Sequence, residues 1–436
     1  MNITTFIHAT HWEDLPPTVQ AQTTRCLLDT LGAGIGGRAT DTARIIHDFA
    51  ATCLGGGNAL LWQDGRRASP AGAALANGAT IDSLDIHDGF SLCKGHAGAA
   101  VVPAALASVG LSAGTTTGRE LLTSLAIGYE IALRAGMCLH ATAADYHGSG
   151  SWNALGCAAV VARRLRLSAE QTLAALAIAE YHGPRSPIMR CVAHPTMLKD
   201  GCGWGALVGV TAAQLADLGF TGGPADTVET AAQPFCDRLG EDWHFLRLYF
   251  KPHAVCRWAQ PAVEAVLQLQ CEHGIAADAI AAIRITTFHE AVCLATRRPR
   301  TSDEAQYSLP FSVAAALAHG TLGPDQLTGA ALADPRVLRL IGRLEFQECP
   351  DLSARFPARR FAHATITTTD GRSFKARDVE ARWDAGTPPS DAELAEKFRW
   401  LAQKLPAERG RSLERTILGC AALADAWQLL ELLAEP

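Results

Sequence analysis

Ala362-His-Ala-Thr-Ile-Thr-Thr-Thr-Asp-Gly-Arg-Ser-Phe-Lys-Ala376 reads as two short strands around an Asp370-Gly371 turn. Polarity alternates with a period of two on both sides, and Asp-Gly between such runs is a strong hairpin signal. A second strand candidate, Ala279-Ile-Ala-Ala-Ile-Arg-Ile-Thr-Thr-Phe288, begins where the texture changes near residue 275. Elsewhere apolar residues recur at spacings of three and four, the helical period, over 19–35, 69–86, 98–113, 118–140, 151–165, 168–182 and 204–219. Helices are also expected around 308–319 and 335–342. They resume after the Pro388-Pro389-Ser390 break, with Ser390 capping Asp391-Ala-Glu. Ser168 and Gln171 form a capping box, and Ser112–Thr117 carries the start signal for Gly118-Arg-Glu-Leu-Leu. The hairpin therefore decides the fold class: mainly α with a smaller α+β domain. A large all-helical domain is expected from residues 1–265 together with the tail 391–436, and the α+β domain is inserted at 266–390.

The chain has 436 residues, 48% of them hydrophobic, which is enough for two packed domains. A net charge of -6 provides no basic field for nucleic acid. The amino terminus, Met-Asn-Ile-Thr-Thr-Phe-Ile-His, lacks the basic-then-apolar pattern of a signal peptide. No uninterrupted apolar run approaches the ~20 residues that span a bilayer. The nearest, 97–113, is broken by Gly98, Pro103, Ser108 and Gly110. A soluble cytoplasmic protein is expected, with neither nucleic acid nor membrane as partner. The thirteen cysteines are scattered without a Cys-x-x-Cys pair, and they read as buried thiols packed as small hydrophobes. Cys93 and Cys256, in polar surroundings, stand apart. Gly32, Gly34 and Gly37 fit Gly-x-Gly-x-x-Gly, but they follow a helical run and not a strand. Close helix packing explains them better than a nucleotide site.

The chemistry concentrates in Asp82-Ser-Leu-Asp-Ile-His-Asp-Gly-Phe-Ser-Leu-Cys-Lys-Gly-His96, where three carboxylates, two imidazoles and an ammonium share fifteen residues of a chain only 19% charged. On a helix, Asp82 and Asp85, and Asp85 and Asp88, stand at i,i+3 on one face. Like charges that close raise one another's pKa, a cost that acid/base chemistry or cation binding would justify. His96 precedes a helical run, whose positive dipole end favours neutral imidazole.

Further along, Asp145-Tyr146-His147-Gly148-Ser149-Gly150-Ser151 sets an acid, a phenol and an imidazole before a helix whose amides could receive a carboxylate. Lys199-Asp200-Gly201-Cys202-Gly203 places an ammonium before another helix, and Phe250-Lys251-Pro252-His253-Ala254-Val255-Cys256-Arg257 groups two cations and a histidine in an apolar neighbourhood. Cations for substrate carboxylates and His, Tyr and Asp for proton transfer make a common chemistry. His87, Asp88 and His96 could ligate a metal, but no His-x-x-x-His or Cys-x-x-Cys pair supports one, and none is expected. Ser149 and Ser151 lack the strand and elbow of a serine nucleophile.

The ordered set resembles the MmgE/PrpD family across nearly the full length. Leu84-Asp-Ile-His-Asp88, Gly95-His-Ala-Gly98 and Val101-Val-Pro-Ala-Ala105 resemble its Asp-rich segment leading to Gly-His-Pro-Ser. Tyr146-His147, Lys199, Lys251-Pro252 with Cys256-Arg257, and Tyr307-Ser-Leu-Pro310 match in the same order. The resemblance implies a homodimer, a helical domain with a smaller α+β lid, no cofactor and a small polycarboxylate substrate. It assigns Asp85, His96, His147, Lys199 and Lys251 to the pocket. The family includes 2-methylcitrate dehydratase, cis-aconitate decarboxylase and iminodisuccinate epimerase. In its decarboxylase branch an Arg follows the matching lysine, a His stands further along, and a Thr lies four residues after the Asp. Here those positions are Pro252, Cys256 and Gly89.

The expected enzyme abstracts a proton next to a carboxylate. Tyr146 or His147 is one proton-transfer group, and His96, positioned by Asp85, is the partner acid. Lys199, Lys251, Arg257 and His87 bind substrate. A hydro-lyase of the 2-methylcitrate dehydratase type leads. An epimerase of an amino-polycarboxylate such as iminodisuccinate, a decarboxylase and a non-catalytic helical scaffold are the alternatives.

Overall fold

A computed structural model of the chain describes residues 1–111, 114–231 and 233–436. The helical body is built around Gly118–Thr142, Gly150–Leu165 and Cys202–Asp217, with Pro70–Asp82 and Gly98–Ala107 packed against them. Small residues set how closely these helices approach. A Cβ on Gly156 would lie 2.3 Å from the Gly128 carbonyl oxygen, so Gly118–Thr142 and Gly150–Leu165 meet backbone to backbone. Gly118–Thr142 is long and apolar enough to cross a membrane, yet 94% of its apolar window is buried inside the protein, as in a core helix. Gly32, Gly34 and Gly37 do serve close packing, facing Phe398, Trp62 and the Thr80 carbonyl respectively.

The capping signals hold. Ser168 and Gln171 exchange a reciprocal capping box, as do Ser390 and Glu393. Thr117 accepts from the Glu120 amide at the start of Gly118–Thr142, while Ser112 and Ala113 lie outside the described residues. Asp391–Leu401, the first helix of the tail, packs back against Pro17–Gly37.

The sheet content is small: a two-residue ribbon of β1 (Ala59–Leu60) and β2 (Arg67–Ala68), and a four-stranded sheet. That sheet comprises β3 (Ile280–Thr287), β4 (Leu344–Glu348), β5 (Ala362–Thr368) and β6 (Ser373–Val379), in the order β4-β3-β5-β6. β5 lies antiparallel to both neighbours, whereas β3 and β4 are parallel, and the crossover between them contains helices Leu309–His319 and Pro335–Ile341. Helix Gln260–His273 covers β5 and β6. Every second residue of β5, from Ala362 to Thr368, is buried, which is the alternation read from the sequence. β4 carried no comparable signal, because it is five residues long and buries only Leu344 fully.

Three boundaries differ from the expectation. The helix expected over 98–113 ends at Ala107, and Ser112 and Ala113 lie outside the described residues. The hairpin turn spans three residues, Thr369 to Gly371, closed by the Thr368 amide on the Arg372 carbonyl at 2.9 Å, and only Gly371 takes positive φ (+85°). That is a turn followed by a left-handed residue, not a two-residue loop. More consequentially, the helix expected over 69–86 ends at Asp82. Asp85 stands at φ +49°, in left-handed conformation, so Asp82, Asp85 and Asp88 do not share a helix face. Each carboxylate turns to a partner of its own.

Candidate active site

The segment from Asp82 to His96 is a buried loop held at several points. The Gly89 and Tyr249 amides donate to each other's carbonyls at 3.0 and 2.9 Å, and Phe90 pairs with Gly95 across a tight turn. The Lys251 ammonium donates to the Asp85 carbonyl at 2.9 Å and also contacts the Asp85 carboxylate. Lys397 donates to the Ile86 carbonyl at 2.7 Å. Asp82 faces His87 at 3.3 Å, and Asp88 accepts from the Tyr129 hydroxyl at 2.6 Å. Three residues at this site, Asp85, Lys94 and Lys199, occupy left-handed backbone conformations that cost a non-glycine residue about 1–3 kcal/mol each. Such strain persists only where surrounding contacts over-determine it.

His96 is the pivot. Its Nδ1 donates to the Asp88 carbonyl at 2.6 Å, which leaves Nε2 as the lone-pair nitrogen. Nε2 lies 3.7 Å from carboxylate oxygens of both Asp85 and Asp200. Burial pushes the imidazole well below its ordinary pKa, and the charge of Lys251 adds to the effect, so His96 is neutral. The helix that begins at Gly98 favours the same charge state, but burial is the main cause.

Asp200 is held the other way. Burial, with the negative charges of Asp82 and Asp85, raises it to about 7 even though Ser149 donates to it at 2.9 Å. A neutral base and a carboxylic acid protonated near neutrality therefore face one another. Asp82, by contrast, is lowered: burial opposes its charge, but the His87 hydrogen bond and the Lys199 and Lys251 charges prevail.

Around this pair lies a cleft of about 30 Å³ whose wall includes Asp85, Lys94, His96, Tyr146, Asp200, Tyr249, Cys256, Arg257, Tyr307 and Arg360. An adjoining cavity of about 340 Å³ shares Ile188 and Asp200 with it and is lined also by Arg190, His194, Lys199 and Trp204. Of the sequence-derived candidates, Asp85, His96, Tyr146 and Arg257 meet at the first cleft. Lys251 is buried behind Asp85.

Lys199 lines the second cavity, bonded to Gln306, 3.8 Å from Asp303 and 5.5 Å from the Tyr307 ring centroid. His87 is buried behind His96, ring against ring at 4.5 Å. His147 lines neither cavity; its Nδ1 donates to the Asp145 carbonyl at 2.8 Å. The Tyr146 hydroxyl donates to the Lys94 carbonyl.

The donor atoms of Asp85, His87 and His96 lie within 4.8 Å of one another, close enough to hold a metal ion. The cation contacting Asp85 here is the Lys251 ammonium, and both histidine Nδ1 atoms face the Asp88 carbonyl, at 3.2 and 2.6 Å. Cys93 is a buried thiol donating to the Leu133 carbonyl, whereas Cys256 lines the cleft with its thiol pushed far up by burial.

Sequence reasoning passed over Asp200, Tyr249 and Arg360. Asp200 stood beside Lys199 in a quoted motif, and Tyr249 one residue before another. Arg360, next to Arg359, carried no signal distinguishing it from a surface charge.

A helical body with an α+β part, closing a cationic cleft around an acid/base pair, defines an enzyme-like scaffold for small acids. The chain belongs to the MmgE/PrpD family: residues 1–245 match the MmgE/PrpD N-terminal domain and 253–420 its C-terminal domain. It is 27% identical to the cis-aconitate decarboxylase of Homo sapiens, over 99% of this chain and 94% of that protein. It is 25% identical to the cis-aconitate decarboxylase-like protein oryM of Aspergillus oryzae, over 97% and 94%. With the Mus musculus cis-aconitate decarboxylase it shares 25% identity over 92% and 86%.

Proposed function

We propose that this protein is a lyase acting on a small polycarboxylate by proton abstraction next to a carboxylate, as a hydro-lyase of the 2-methylcitrate dehydratase type. The carrying observation is the facing of neutral His96 and raised Asp200 across 3.7 Å. His96 Nε2 takes the proton from carbon. Lys251, on Asp85, supplies positive charge for the enolate-like carboxylate that develops. The carbon–oxygen bond then breaks, and hydroxide leaves with the Asp200 proton, giving an alkene and water. A leaving hydroxyl takes its proton from such an acid, whereas in a decarboxylation the same proton would go to the carbanion that loss of carbon dioxide leaves.

A second reading, decarboxylation of a small tricarboxylate, is favoured by the names of the relatives. Against it stands Gly89, at the position of the decarboxylase threonine. An NMR assay in deuterium oxide with 2-methylcitrate, citrate, cis-aconitate and iminodisuccinate separates the readings. Alkene formation from a citrate-type substrate is expected. Carbon dioxide release from cis-aconitate supports the second reading. Deuterium incorporation with inversion and no alkene makes the enzyme an epimerase.

A further inference from the structure

Arg355, Arg359 and Arg360 follow closely on one segment between β4 and β5, yet they are used differently. Arg355 and Arg359 are exposed and face the carboxylates of Asp378 and Glu380. Arg360 is 4% exposed, and among the described residues no carboxylate pairs with it. Its Nη1 donates to Ser91 Oγ at 2.9 Å, its guanidinium stands 5.3 Å from the Phe356 ring centroid, and its Nε is buried without a hydrogen-bond partner.

Arg257, on the same cleft, has one nitrogen on Asp384 and two, Nε and Nη1, buried without partners. Lys94, half-buried on the cleft, rests over the Tyr146 ring at 4.6 Å; it feels the opposite charge of Glu290 but has no carboxylate within ion-pair distance among the described residues. A buried cation without a counter-charge is strongly unfavourable, and an aromatic face compensates only part of the cost. Three cations converge on one small cleft, and among the described residues Asp384 is the single carboxylate within ion-pair distance of any of them.

We infer that Arg360, with Lys94 and the free edge of Arg257, forms a carboxylate subsite that holds a remote carboxylate of the substrate, away from the reacting carbon. This deepens the polycarboxylate reading above and rests on it. The guanidinium fork suits a planar carboxylate, which would take the place of the missing counter-charge. The ligand then extends past His96 and Asp200, and Asp200 is shared with the larger cavity, where the exposed Arg190 would take a second carboxylate. The reacting carbon lies between two anion sites, so the enzyme recognises the separation of carboxylates and not merely their charge.

Glutarate and butyrate test this, because they differ by one terminal carboxylate. Their dissociation constants are measured by calorimetry on the full chain and on Arg360→Gln, Arg360→Lys and Arg359→Gln, with circular dichroism to verify folding. The wild type is expected to prefer glutarate. That preference should fall at least fivefold in Arg360→Gln, be partly retained in Arg360→Lys and be unchanged in Arg359→Gln. A smaller fall in Arg360→Gln, with both ligands weakened equally or neither weakened, overturns the subsite. A wild type with no preference for glutarate instead removes the polycarboxylate reading on which it rests.

Discussion

A Cβ on Gly89 would lie 2.4 Å from the Tyr249 hydroxyl oxygen and 2.7 Å from Nδ1 of His96. The phenol occupies the space that a side chain at position 89 would need. Its ring carries the Arg257 guanidinium at 4.4 Å, and burial pushes the hydroxyl well above its ordinary pKa, so it stays a neutral donor. The threonine of the decarboxylase pattern is therefore incompatible with this site as built. Gly89→Thr should lower the melting temperature and reduce turnover at least tenfold, with Tyr249→Leu alone milder in stability. Combining the two should recover more stability than additivity allows, because the residues are in contact. A Gly89→Thr variant with native stability and turnover would show that the phenol moves aside freely.

The raised carboxyl of Asp200 makes both activity and stability depend on pH. As the proton donor, Asp200 should give a kcat/KM that falls as pH rises through about 7. Asp200→Asn should lose this limb along with ~10²–10⁴-fold in rate. For stability, the folded pKa stands above the unfolded value of about 3.9. Between about pH 4 and 7 the unfolded chain gives up a proton that the folded one keeps, so stability declines with rising pH across that window and levels off above it. Asp88, raised to about 6 mainly by burial, acts in the same direction. The melting temperature of Asp200→Asn relative to wild type should therefore grow between pH 4 and 7. A constant difference over that range would mean that Asp200 ionises normally.

Most of the fold was legible because helical periodicity and caps are local. The Ser168, Thr117 and Ser390 caps and the β5–β6 hairpin all follow from neighbours in sequence. The helix end at Asp82 was not legible. Periodicity continues to residue 86, but long-range partners draw the carboxylates apart: Lys251 to Asp85, 166 residues away, and Tyr129 to Asp88, 41 away. The site divides along the same line. Asp85, His96, Tyr146 and Arg257 stood out as chemical residues in motifs, whereas Arg360 draws notice only because folding buries it on the same cleft as Arg257 with no carboxylate paired to it among the described residues. Burial without a partner is a three-dimensional property, and no spacing encodes it.

The Asp85–Lys251 pair should behave as one unit. Lys251 is fully buried and Asp85 nearly so, so removing either charge leaves the other unpaired. Lys251→Met should destabilise the protein by about 3–5 kcal/mol. Asp85→Asn with Lys251→Met should restore much of that stability without restoring activity, because the cation is needed for the developing carboxylate charge. Urea unfolding and steady-state turnover of the single and double variants measure both effects. A single variant as stable as wild type would mean that water reaches the pair.

Lys397 lies outside the cleft yet should alter catalysis as a positioning residue. Its ammonium pairs with Asp29 at 2.5 Å and donates to the Ile86 carbonyl at 2.7 Å, tying the Asp391–Leu401 helix to the loop between Asp85 and His87. Lys397 and Asp29 are both buried. Lys397→Met frees the Ile86 carbonyl and leaves Asp29 charged, whereas adding Asp29→Asn removes the orphaned charge but not the free carbonyl. Stability should therefore fall in the single variant and return in the double one. Turnover should stay low in both, by tenfold or more, with KM nearly unchanged, because the anion-binding cations are untouched. A double variant that regains wild-type kcat would reduce Lys397 to a stabilising charge, with no hold on the loop that carries Asp85.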